Sequence, residues 1–336
     1  MKALIVGLGS MGRRRLRLLQ RYFPSIEVAG VDALSQRCET AGVPTYRELD
    51  VALENFRPDA TIICTSPLAH ADQIKSCLEH GMHVFTEINL VKDGYHANQA
   101  LAQKMERTLF LSSTYLYRNE IKAIQEAVSA SHAFKLYTYH VGQYLPDWHP
   151  WESYKNFFLG DKRTNGCREI LAINLPWIVK TFGEIEAVYS VSGKMSELQI
   201  DYPDSYVITL RHHNGNIGVF TVDLISREAV CNLRVQSEDL LMTWNGQPNG
   251  LHRFDPKNKS WQEIEAYDQS KIDHMTGYTA NIIENAYLAE LEDFFAQIQG
   301  DSDARYTFAE DEKVLDWIDE IETHCQSGEG KGAKSK

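Results

Sequence analysis

The chain has 336 residues, with 34 Lys plus Arg against 46 Asp plus Glu and a formal net charge of −12. With 43% hydrophobic and 24% charged residues it has an ordinary globular composition, and its length favours two domains. The acidic balance argues against a nucleic-acid binder, and no apolar run is long enough to span a membrane. The charged N-terminus does not resemble a secretory signal, and the six cysteines are scattered without a CxxC pair. We therefore expect a cytoplasmic protein with free thiols and no bound metal, nucleic acid or membrane.

The N-terminus has the pattern of a dinucleotide-binding turn. An apolar run, Lys2–Val6, predicts a strand, and GLGSMG follows at once, with Gly7, Gly9 and Gly12 at the spacing GxGxxG. Such glycines permit a tight turn, close approach of a pyrophosphate, and packing of a helix on a strand. A helix-like stretch and a second strand, Ile26–Val31, lead to an acidic residue that would accept hydrogen bonds from the adenosine ribose. The cofactor-binding candidates here are Gly7, Gly9, Ser10, Met11, Gly12 and Asp32.

Charged residues around this turn bear on the choice of cofactor. Asp32 would repel a 2′-phosphate, which favours NAD over NADP, although Arg37 lies close behind it and could soften that preference. Arg13, Arg14 and Arg15 fall in the first turn of the predicted helix, where the macrodipole disfavours cations. Two explanations remain open: a bound anion compensates them, or they form a solvated basic face.

Strands and helices continue to alternate to about residue 118. Apolar strands at 60–64, 82–85 and 109–112 are separated by helix-like segments. This alternation of strands and helices predicts an α/β domain with a doubly wound, parallel Rossmann sheet. In such a domain the ligand binds at the carboxyl ends of the strands. We assign residues 1–118 to this domain.

The stretch CTSPLAHADQIKSCLEHGMHVFTEINLV resembles the glucose–fructose oxidoreductase / inositol dehydrogenase (Gfo/Idh/MocA) family. Members of that family typically carry a TP-type turn, a histidine shortly after it, and the pattern GKHVxxEKPLA. The resemblance implies an NAD-dependent oxidoreductase and adds cofactor-binding candidates on the nicotinamide side of the cleft. These are Thr65, Ser66, Pro67, His70 and Glu87, the last of which corresponds to the glutamate of the EKP motif.

The chain departs from the family at both usual catalytic positions. Where the family has Lys and Pro after the glutamate, this chain has Ile88 and Asn89. The family lysine can lower the pKa of the reacting hydroxyl and help to move its proton, and isoleucine can do neither. Counted back from Gly183, the family histidine falls at Ile173 or within one residue of it, and no histidine lies between His149 and His212.

The second part of the chain, residues 119–325, predicts an α+β substrate domain. TYLYRNE resembles the family's entry into its substrate domain, and the aromatic run GQYLPDWHPWESYKNFF resembles members that act on sugars for surface polysaccharides. An aromatic loop packed on the sheet or on a partner subunit explains that run equally well. Strands with a period of two from residue 187 onward predict a large, mostly antiparallel sheet. In the family, one face of this sheet often covers an oligomer interface, which implies a homodimer or homotetramer. The Gly/Lys-rich residues 326–336 read as a disordered tail.

We expect an NAD(H)-dependent oxidoreductase that moves a hydride to or from a ring carbon of a sugar or an activated sugar. Other residues must then carry the proton in place of the missing Lys and His. The catalytic candidates are Tyr117, Tyr154, Lys155 and Glu169, and the substrate-binding candidates are Arg118, Asn119, Trp148 and Arg168. If Arg168 orients an anionic substrate, Arg168→Ala will raise KM markedly.

Two alternatives remain open. The chain could be a catalytically lapsed member that keeps Gly7, Gly9, Gly12 and Asp32 and acts as a dinucleotide-dependent sensor or assembly subunit. The family also includes biliverdin reductase, which shows that the lysine is dispensable where the substrate is easily protonated. No residue of this sequence points specifically to a tetrapyrrole substrate.

Overall fold

The computed structural model describes residues 1–148, 153–268, 270, 272–273 and 282–323. The chain forms two compact units. The first comprises Met1–Arg118 and Glu284–Leu315; the second comprises Asn119–Ile283 and, from Asp316, the remainder of the last helix. No helix within the described ranges is long and apolar enough to cross a membrane.

The first unit contains the parallel sheet that the sequence predicts. Its strand order is β3-β2-β1-β4-β5-β6, and every neighbouring pair is parallel. This is the order of a Rossmann sheet, in which the strand order reverses between β1 and β4 and leaves a crevice at the carboxyl ends of the strands. The strands are β1 (Lys2–Val6), β2 (Glu27–Val31), β3 (Thr45–Tyr46), β4 (Ala60–Ile63), β5 (His83–Thr86) and β6 (Leu109–Leu111).

Helices pack on this sheet through apolar side chains spaced at the helical period. In the first helix, Leu16 and Leu19 are buried, while Arg13 and Gln20 face solvent. The helices of the first part of the chain are α1 (Ser10–Tyr22), α2 (Ser35–Glu39), α3 (Leu49–Phe56), α4 (Pro67–Glu79) and α5 (Tyr95–Lys104).

The first unit also takes up a helix from the far end of the chain. In α8 (Glu284–Gln299), Leu291 and Phe294 are buried, and Phe294 packs against the rings of Phe85 and Phe110 at 5.6 and 5.7 Å. The last helix, α9 (Phe308–Thr323), starts in the first unit and ends in the second.

The second unit is built on an eight-stranded sheet in the order β14-β13-β12-β11-β7-β10-β9-β8. All its neighbouring pairs are antiparallel except β7 and β10, which confirms the predicted mostly antiparallel sheet. The strands are β7 (Leu136–Gly142), β8 (Ile185–Gly193), β9 (Ser205–His212), β10 (Ile217–Asp223), β11 (Val230–Gln236), β12 (Leu241–Trp244), β13 (Leu251–Asp255) and β14 (Ser260–Glu263).

The helices α6 (Asn119–Ala130) and α7 (Gly166–Phe182) also belong to the second unit. Tyr139 of β7 packs edge-on against Trp177 of α7, and both side chains are buried. Between β7 and α7 the described chain forms only short 3-10 turns, as the irregular aromatic run predicts. His149, Pro150, Trp151 and Glu152 of that run lie outside the described residues, and so does the predicted tail at 326–336.

Candidate functional site

The glycines of GLGSMG form a tight turn between β1 and α1. Gly7 has φ +91°, which favours glycine, and its N–H donates to the carbonyl of Val31 at 2.8 Å. A Cβ on Gly12 would lie 1.8 Å from the carbonyl oxygen of Gly7, so only glycine allows α1 to pack this close. Gly9 is the N-cap of α1 and has no side-chain cap, and a Cβ there would meet only the Arg37 guanidinium, at 3.6 Å. The N-terminus of α1 therefore presents backbone N–H groups and a positive dipole end toward the space above Gly9, where an anion would be favoured.

Asp32 lies at the carboxyl end of β2, beside this turn. Its Oδ2 accepts the Leu8 N–H and its Oδ1 accepts the Leu34 N–H, both at 2.8 Å. Arg37 Nη1 lies 3.5 Å from Asp32 Oδ2. Asp32 is thus held between the glycine turn and the start of α2, where the fingerprint places the adenosine ribose. Ser10 and Met11 form the first turn of α1, as the spacing requires.

Neither explanation of the basic triplet holds for Arg14 and Arg15. Both are buried and are paired with carboxylates of α8: Arg14 with Glu284 at 3.1 Å, and Arg15 with Glu290 at 2.6 Å. Internal carboxylates, rather than a bound anion or solvent, compensate these two charges. Arg13 alone faces solvent.

Glu87 is the second partner of Arg15, at 2.6 Å, and is itself buried. Burial lowers the pKa of Arg15, but Glu87 and Glu290 outweigh this effect and keep its pKa above the ordinary value. Glu87 thus helps to compensate the buried positive charge of Arg15 in the first unit.

His70 is buried behind the turn at Thr65 and Ser66. Its Nδ1 lies 2.6 Å from Asn89 Oδ1, and its Nε2 lies 3.2 Å from the carbonyl oxygen of Thr65. Burial lowers the pKa of His70. Asn89, which stands where the family has proline, therefore joins His70 in fixing the backbone at Thr65. Ser66 and Pro67 begin α4, directly after this turn.

Tyr117 is tied into the core of the first unit. Its hydroxyl donates to Asp293 at 2.5 Å, and burial raises its pKa well above the ordinary value. The Arg118 guanidinium lies 5.4 Å from the Tyr115 ring and is buried. Asn119 starts the second unit, where its N–H donates to the Tyr267 hydroxyl at 2.9 Å.

Three candidates lie in the loop between β7 and α7. The Tyr154 hydroxyl accepts the Gln199 N–H at 3.2 Å, and Lys155 Nζ donates to the Gln199 side chain, so the structure brings these two together. Trp148 is partly exposed, and its Nε1 donates to the Gln143 carbonyl at 3.1 Å.

The first turn of α7 holds two adjacent candidates in opposite electrostatic situations. Arg168 donates to Glu322 at 2.6 Å and to Asp319 at 2.7 Å, both on α9. Glu169 has a buried Oε2 without a hydrogen-bond partner among the described residues, and burial raises its pKa to about 7. A carboxyl group that titrates near neutrality can give and take a proton, whereas the charge of Arg168 is already compensated.

Sequence reasoning missed a histidine–carboxylate pair in the second unit. His140 Nε2 lies 2.6 Å from Asp223 Oδ2, at the adjacent ends of β7 and β10. Asp223 also accepts the N–H groups of Ile225 and Ser226, which helps to lower its pKa against the opposing effect of burial. The two residues are 83 positions apart and meet only through the parallel register, so no local pattern could reveal them.

Residues 1–112 match the family model GFO_IDH_MocA, described as "Oxidoreductase family, NAD-binding Rossmann fold". This N-terminal third of the chain is therefore similar to the NAD-binding domain of that oxidoreductase family. This match confirms the family that the sequence resembles, together with NAD as the cofactor of that family. No curated protein matches the sequence.

Solved structures share the fold over almost the whole chain. An oxidoreductase from Agrobacterium radiobacter, in complex with NAD⁺, L-tartaric acid and magnesium, is 12% identical, with TM-score 0.79 over 98% of this chain and 97% of that one. The WlbA dehydrogenase from Chromobacterium violaceum, in complex with NADH and UDP-GlcNAcA, is 14% identical, with TM-score 0.76 over 98% and 94%. The UDP-N-acetylglucosamine 3-dehydrogenase GnnA from Acidithiobacillus ferrooxidans is 15% identical, with TM-score 0.74 over 97% of each chain. At these identities the similarity establishes the two-unit fold.

Proposed function

We propose that this protein is an NAD(H)-dependent oxidoreductase that transfers a hydride to or from a CH–OH carbon of a sugar or a sugar derivative. The observation that carries the proposal is the uncapped N-terminus of α1 above Gly9, with Asp32 beside it. This arrangement suits a pyrophosphate and an adjacent ribose. The proposed substrate class rests on two of the similar structures. One is a dehydrogenase in complex with UDP-GlcNAcA, and the other is a UDP-N-acetylglucosamine 3-dehydrogenase.

The chain's own residues divide the work of holding the cofactor. Gly7 and Gly12 fix the turn, Gly9 would leave room for the pyrophosphate, and Asp32 would accept hydrogen bonds from the adenosine ribose. His70 and Asn89 hold the Thr65 backbone on the nicotinamide side. The nicotinamide supplies the hydride donor or acceptor when it is bound.

Glu169 is the residue we assign to proton transfer in the absence of the family Lys and His. Its carboxyl group has a pKa of about 7 and an unpaired oxygen. Oxidation of a hydroxyl releases a proton, which the carboxylate form of Glu169 accepts, and reduction uses the protonated form as the donor. Asn174, within one residue of the expected histidine position, cannot take this role. Its amide is engaged with Tyr139, Trp177 and the Ile170 carbonyl.

The lapsed-enzyme alternative rests on Ile88 and on the missing histidine. A group suited to proton transfer, Glu169, is nevertheless present in the second unit. We therefore favour an active enzyme with a substitute proton route.

We further propose that two copies of the chain associate through the eight-stranded sheet. Tyr189, Val191 and Val207 lie on neighbouring strands of this sheet and are 65%, 62% and 51% exposed. Contiguous exposed apolar side chains of this kind mark interaction surfaces. Val191→Asp should lower the mass measured by light scattering to that of one chain, while Glu186→Gln, a control on the same strand, should leave it unchanged.

The cofactor half of the proposal is tested by titrating the purified protein with NADH and following nicotinamide fluorescence. Asp32→Ala should weaken binding about tenfold or more, because it removes the carboxylate facing the ribose. Asp50→Ala, in α3, is a control that removes the same charge. If wild-type protein does not bind NADH, the oxidoreductase proposal is wrong.

The catalytic half is tested by screening nucleotide sugars and free sugars for NADH formation or consumption. A protein that binds NADH and turns over no sugar would favour the sensor or assembly alternative. For any sugar that reacts, transfer of deuterium from C4-deuterated NADH to a ring carbon would identify the reacting position.

We assign the protein to the cytoplasm, where NAD(H) is available and the five described cysteines stay reduced.

A further inference from the structure

A cavity of about 630 Å³ lies in the second unit, beside the C-terminal ends of α6 and α7. Its walls come from these two helix ends, from the segment before β7 and from the turn between β9 and β10. Ser129, Lys180 and Asn214 of its lining are exposed, so the cavity opens to solvent. Of the nine described residues that line it, eight are polar or charged. Ligand pockets are usually lined by apolar side chains, so this lining favours a hydrophilic ligand.

The unusual member of this lining is Lys135. It is 8% exposed, and lysine is rarely buried to this degree unless a carboxylate pairs with it. Its Nζ donates to the Ser131 carbonyl at 2.6 Å, and it forms no ion pair with a carboxylate among the described residues. Asp239 contacts the same serine, but it accepts the hydroxyl groups of Ser131 and Ser237 instead. The positive charge of Lys135 is therefore buried without a matching negative charge.

The end of α6 compensates Lys135 only in part. A lysine that donates to a carbonyl at a helix C-terminus is favoured by the helix dipole, but that dipole amounts to about half a charge. The end of α7 is already occupied, because the Phe182 carbonyl accepts the side-chain amides of Asn214 and Asn216 at 2.8 and 2.9 Å. An ammonium group has three N–H donors, and the Ser131 carbonyl uses one of them. Lys135 thus keeps both charge and donors for a ligand in the cavity.

The other groups of the lining indicate which anion fits. Gln125 and Ser129 add an amide and a hydroxyl group to the α6 side of the cavity. A lysine ammonium binds phosphate as a point charge, and neutral donors of this kind can bind further phosphate oxygens. Carboxylates are more often recognised by the planar fork of an arginine, and the described lining contains no arginine. The chemistry of the cavity therefore favours phosphate.

We propose that this cavity binds the phosphate group of a small phosphorylated molecule, with Lys135 as the main ligand and Gln125 and Ser129 as neutral donors. The lining residues all belong to the second unit, whereas the glycine turn belongs to the first. The site is therefore separate from the proposed cofactor site and does not depend on the proposed oxidoreductase activity. Binding there stabilises the folded protein in proportion to the concentration of the ligand.

The test is isothermal titration calorimetry of the full chain with glycerol 3-phosphate, inorganic phosphate and glycerol at constant ionic strength. Both phosphate compounds should bind, and glycerol should not. Lys135→Met should raise the Kd of each phosphate compound about tenfold or more, because it removes a charge-assisted hydrogen bond. Phosphate that binds at the glycine turn is identified with Gly9→Ala, which should leave the part of the binding that depends on Lys135 unchanged.

Two further variants separate binding from folding. Lys194→Met is the matched control, because Lys194 also donates to backbone carbonyls of the second unit, those of Ser196 and Leu198, but does not line the cavity. It should bind phosphate as the wild type does. Ser129→Glu places a negative charge at the exposed rim and removes no buried group, so it should abolish binding while Tm stays unchanged.

Two results would overturn the proposal. One is the absence of saturable binding of both phosphate compounds by the wild-type protein. The other is binding that Lys135→Met and Ser129→Glu both leave unchanged. Neither result bears on the proposed function, since Lys135→Met should leave the Kd for NADH as it is in the wild type.

Discussion

The N-termini of α1 and α7 both carry arginine, but they are capped differently. Each helix begins at a loop and places arginine in its first turns, against the helix dipole. In each, carboxylates from the last two helices of the chain compensate arginine: Glu284 and Glu290 in the first unit, and Asp319 and Glu322 in the second.

The difference lies in the cap. Gly9 caps α1 with no side chain, whereas the Asn165 side chain accepts the Arg168 N–H at 2.8 Å and closes the start of α7. The start of α1 could therefore accept an external anion, whereas the start of α7 is capped by a side chain of the protein. Both helices have basic residues near their starts, so the cap, and not the arginine, distinguishes them.

Among the proposed substitutions, Arg15→Met should have the largest effect on the free energy of unfolding. The substitution leaves Glu87 and Glu290 buried without their cation, so we expect a loss of about 3–5 kcal/mol in the free energy of unfolding. Burial already raises the pKa of Glu290, and this pKa rises further without Arg15. The deficit should thus be full at pH 8 and shrink as the pH falls and Glu290 becomes protonated.

Denaturant unfolding at pH 8 and pH 5 measures this effect. Arg21→Ala, on the exposed part of α1, should lose less than about 0.5 kcal/mol at either pH. A deficit in Arg15→Met that grows on acidification would contradict the assignment of the two carboxylates as its cause.

Glu169→Gln tests the second helix start. In the sugar reaction it should lower kcat about 100-fold, because general acid–base catalysis contributes at least that much. A second readout needs no substrate. The pKa of Glu169 is raised to about 7 in the folded protein, so its ionisation costs stability above pH 7 and costs none below the ordinary pKa.

Thermal unfolding across pH 5–8 measures that cost. The Tm advantage of Glu169→Gln over wild type should be greatest at pH 8 and decline toward pH 5. An equal Tm difference at all pH values would show that Glu169 is not held in a desolvated site. Glu184→Gln, near the end of α7 and exposed, should show no such trend.

Gly9→Ala tests the N-terminus of α1, which has no side-chain cap. The added Cβ meets only the Arg37 guanidinium, so the protein should fold with an unchanged Tm. The methyl group occupies the path of the pyrophosphate, and the Kd for NADH should rise about tenfold or more. Gly12→Ala is the companion variant: its Cβ would lie 1.8 Å from the Gly7 carbonyl oxygen, so Tm should fall as well.

The smallest expected effect is that of Arg168→Ala. Its partners Asp319 and Glu322 are 46% and 23% exposed, so the loss should be about 1 kcal/mol, measured by denaturant unfolding. The sequence-based hypothesis that Arg168 orients the substrate predicts a raised KM in addition. A changed Tm with unchanged KM would restrict Arg168 to its contacts with α9.

The geometry of the glycine turn and of Asp32 was predictable because it depends on short-range spacing. Gly7, Gly12 and Asp32 act through backbone geometry within one βαβ unit, and the strands of the parallel sheet fall within a residue or two of their predicted places. Segment 35–56 was missed, because α2 and β3 are too short to show a period.

The contacts of the catalytic and substrate-binding candidates were less predictable because they join distant parts of the chain. Arg168 meets residues more than 150 positions away, and Tyr117 meets Asp293. No periodic pattern encodes such pairs. The sequence identifies candidate polar residues. Which of these residues have a hydrogen-bonding group without a partner depends on the tertiary contacts.

The return of α8 to the first unit has a consequence for protein synthesis. The Rossmann strands leave the ribosome first, but Glu284 and Glu290 emerge some 270 residues after Arg14 and Arg15. Until then Arg14 lacks Glu284 and Arg15 lacks Glu290, and Glu87 is the carboxylate of the first 118 residues that already pairs with Arg15, so the nascent domain cannot yet compensate both buried charges with carboxylates of α8. We therefore expect residues 1–118 alone to be unstable as a fragment, and the nucleotide-binding unit to mature only when translation is nearly complete.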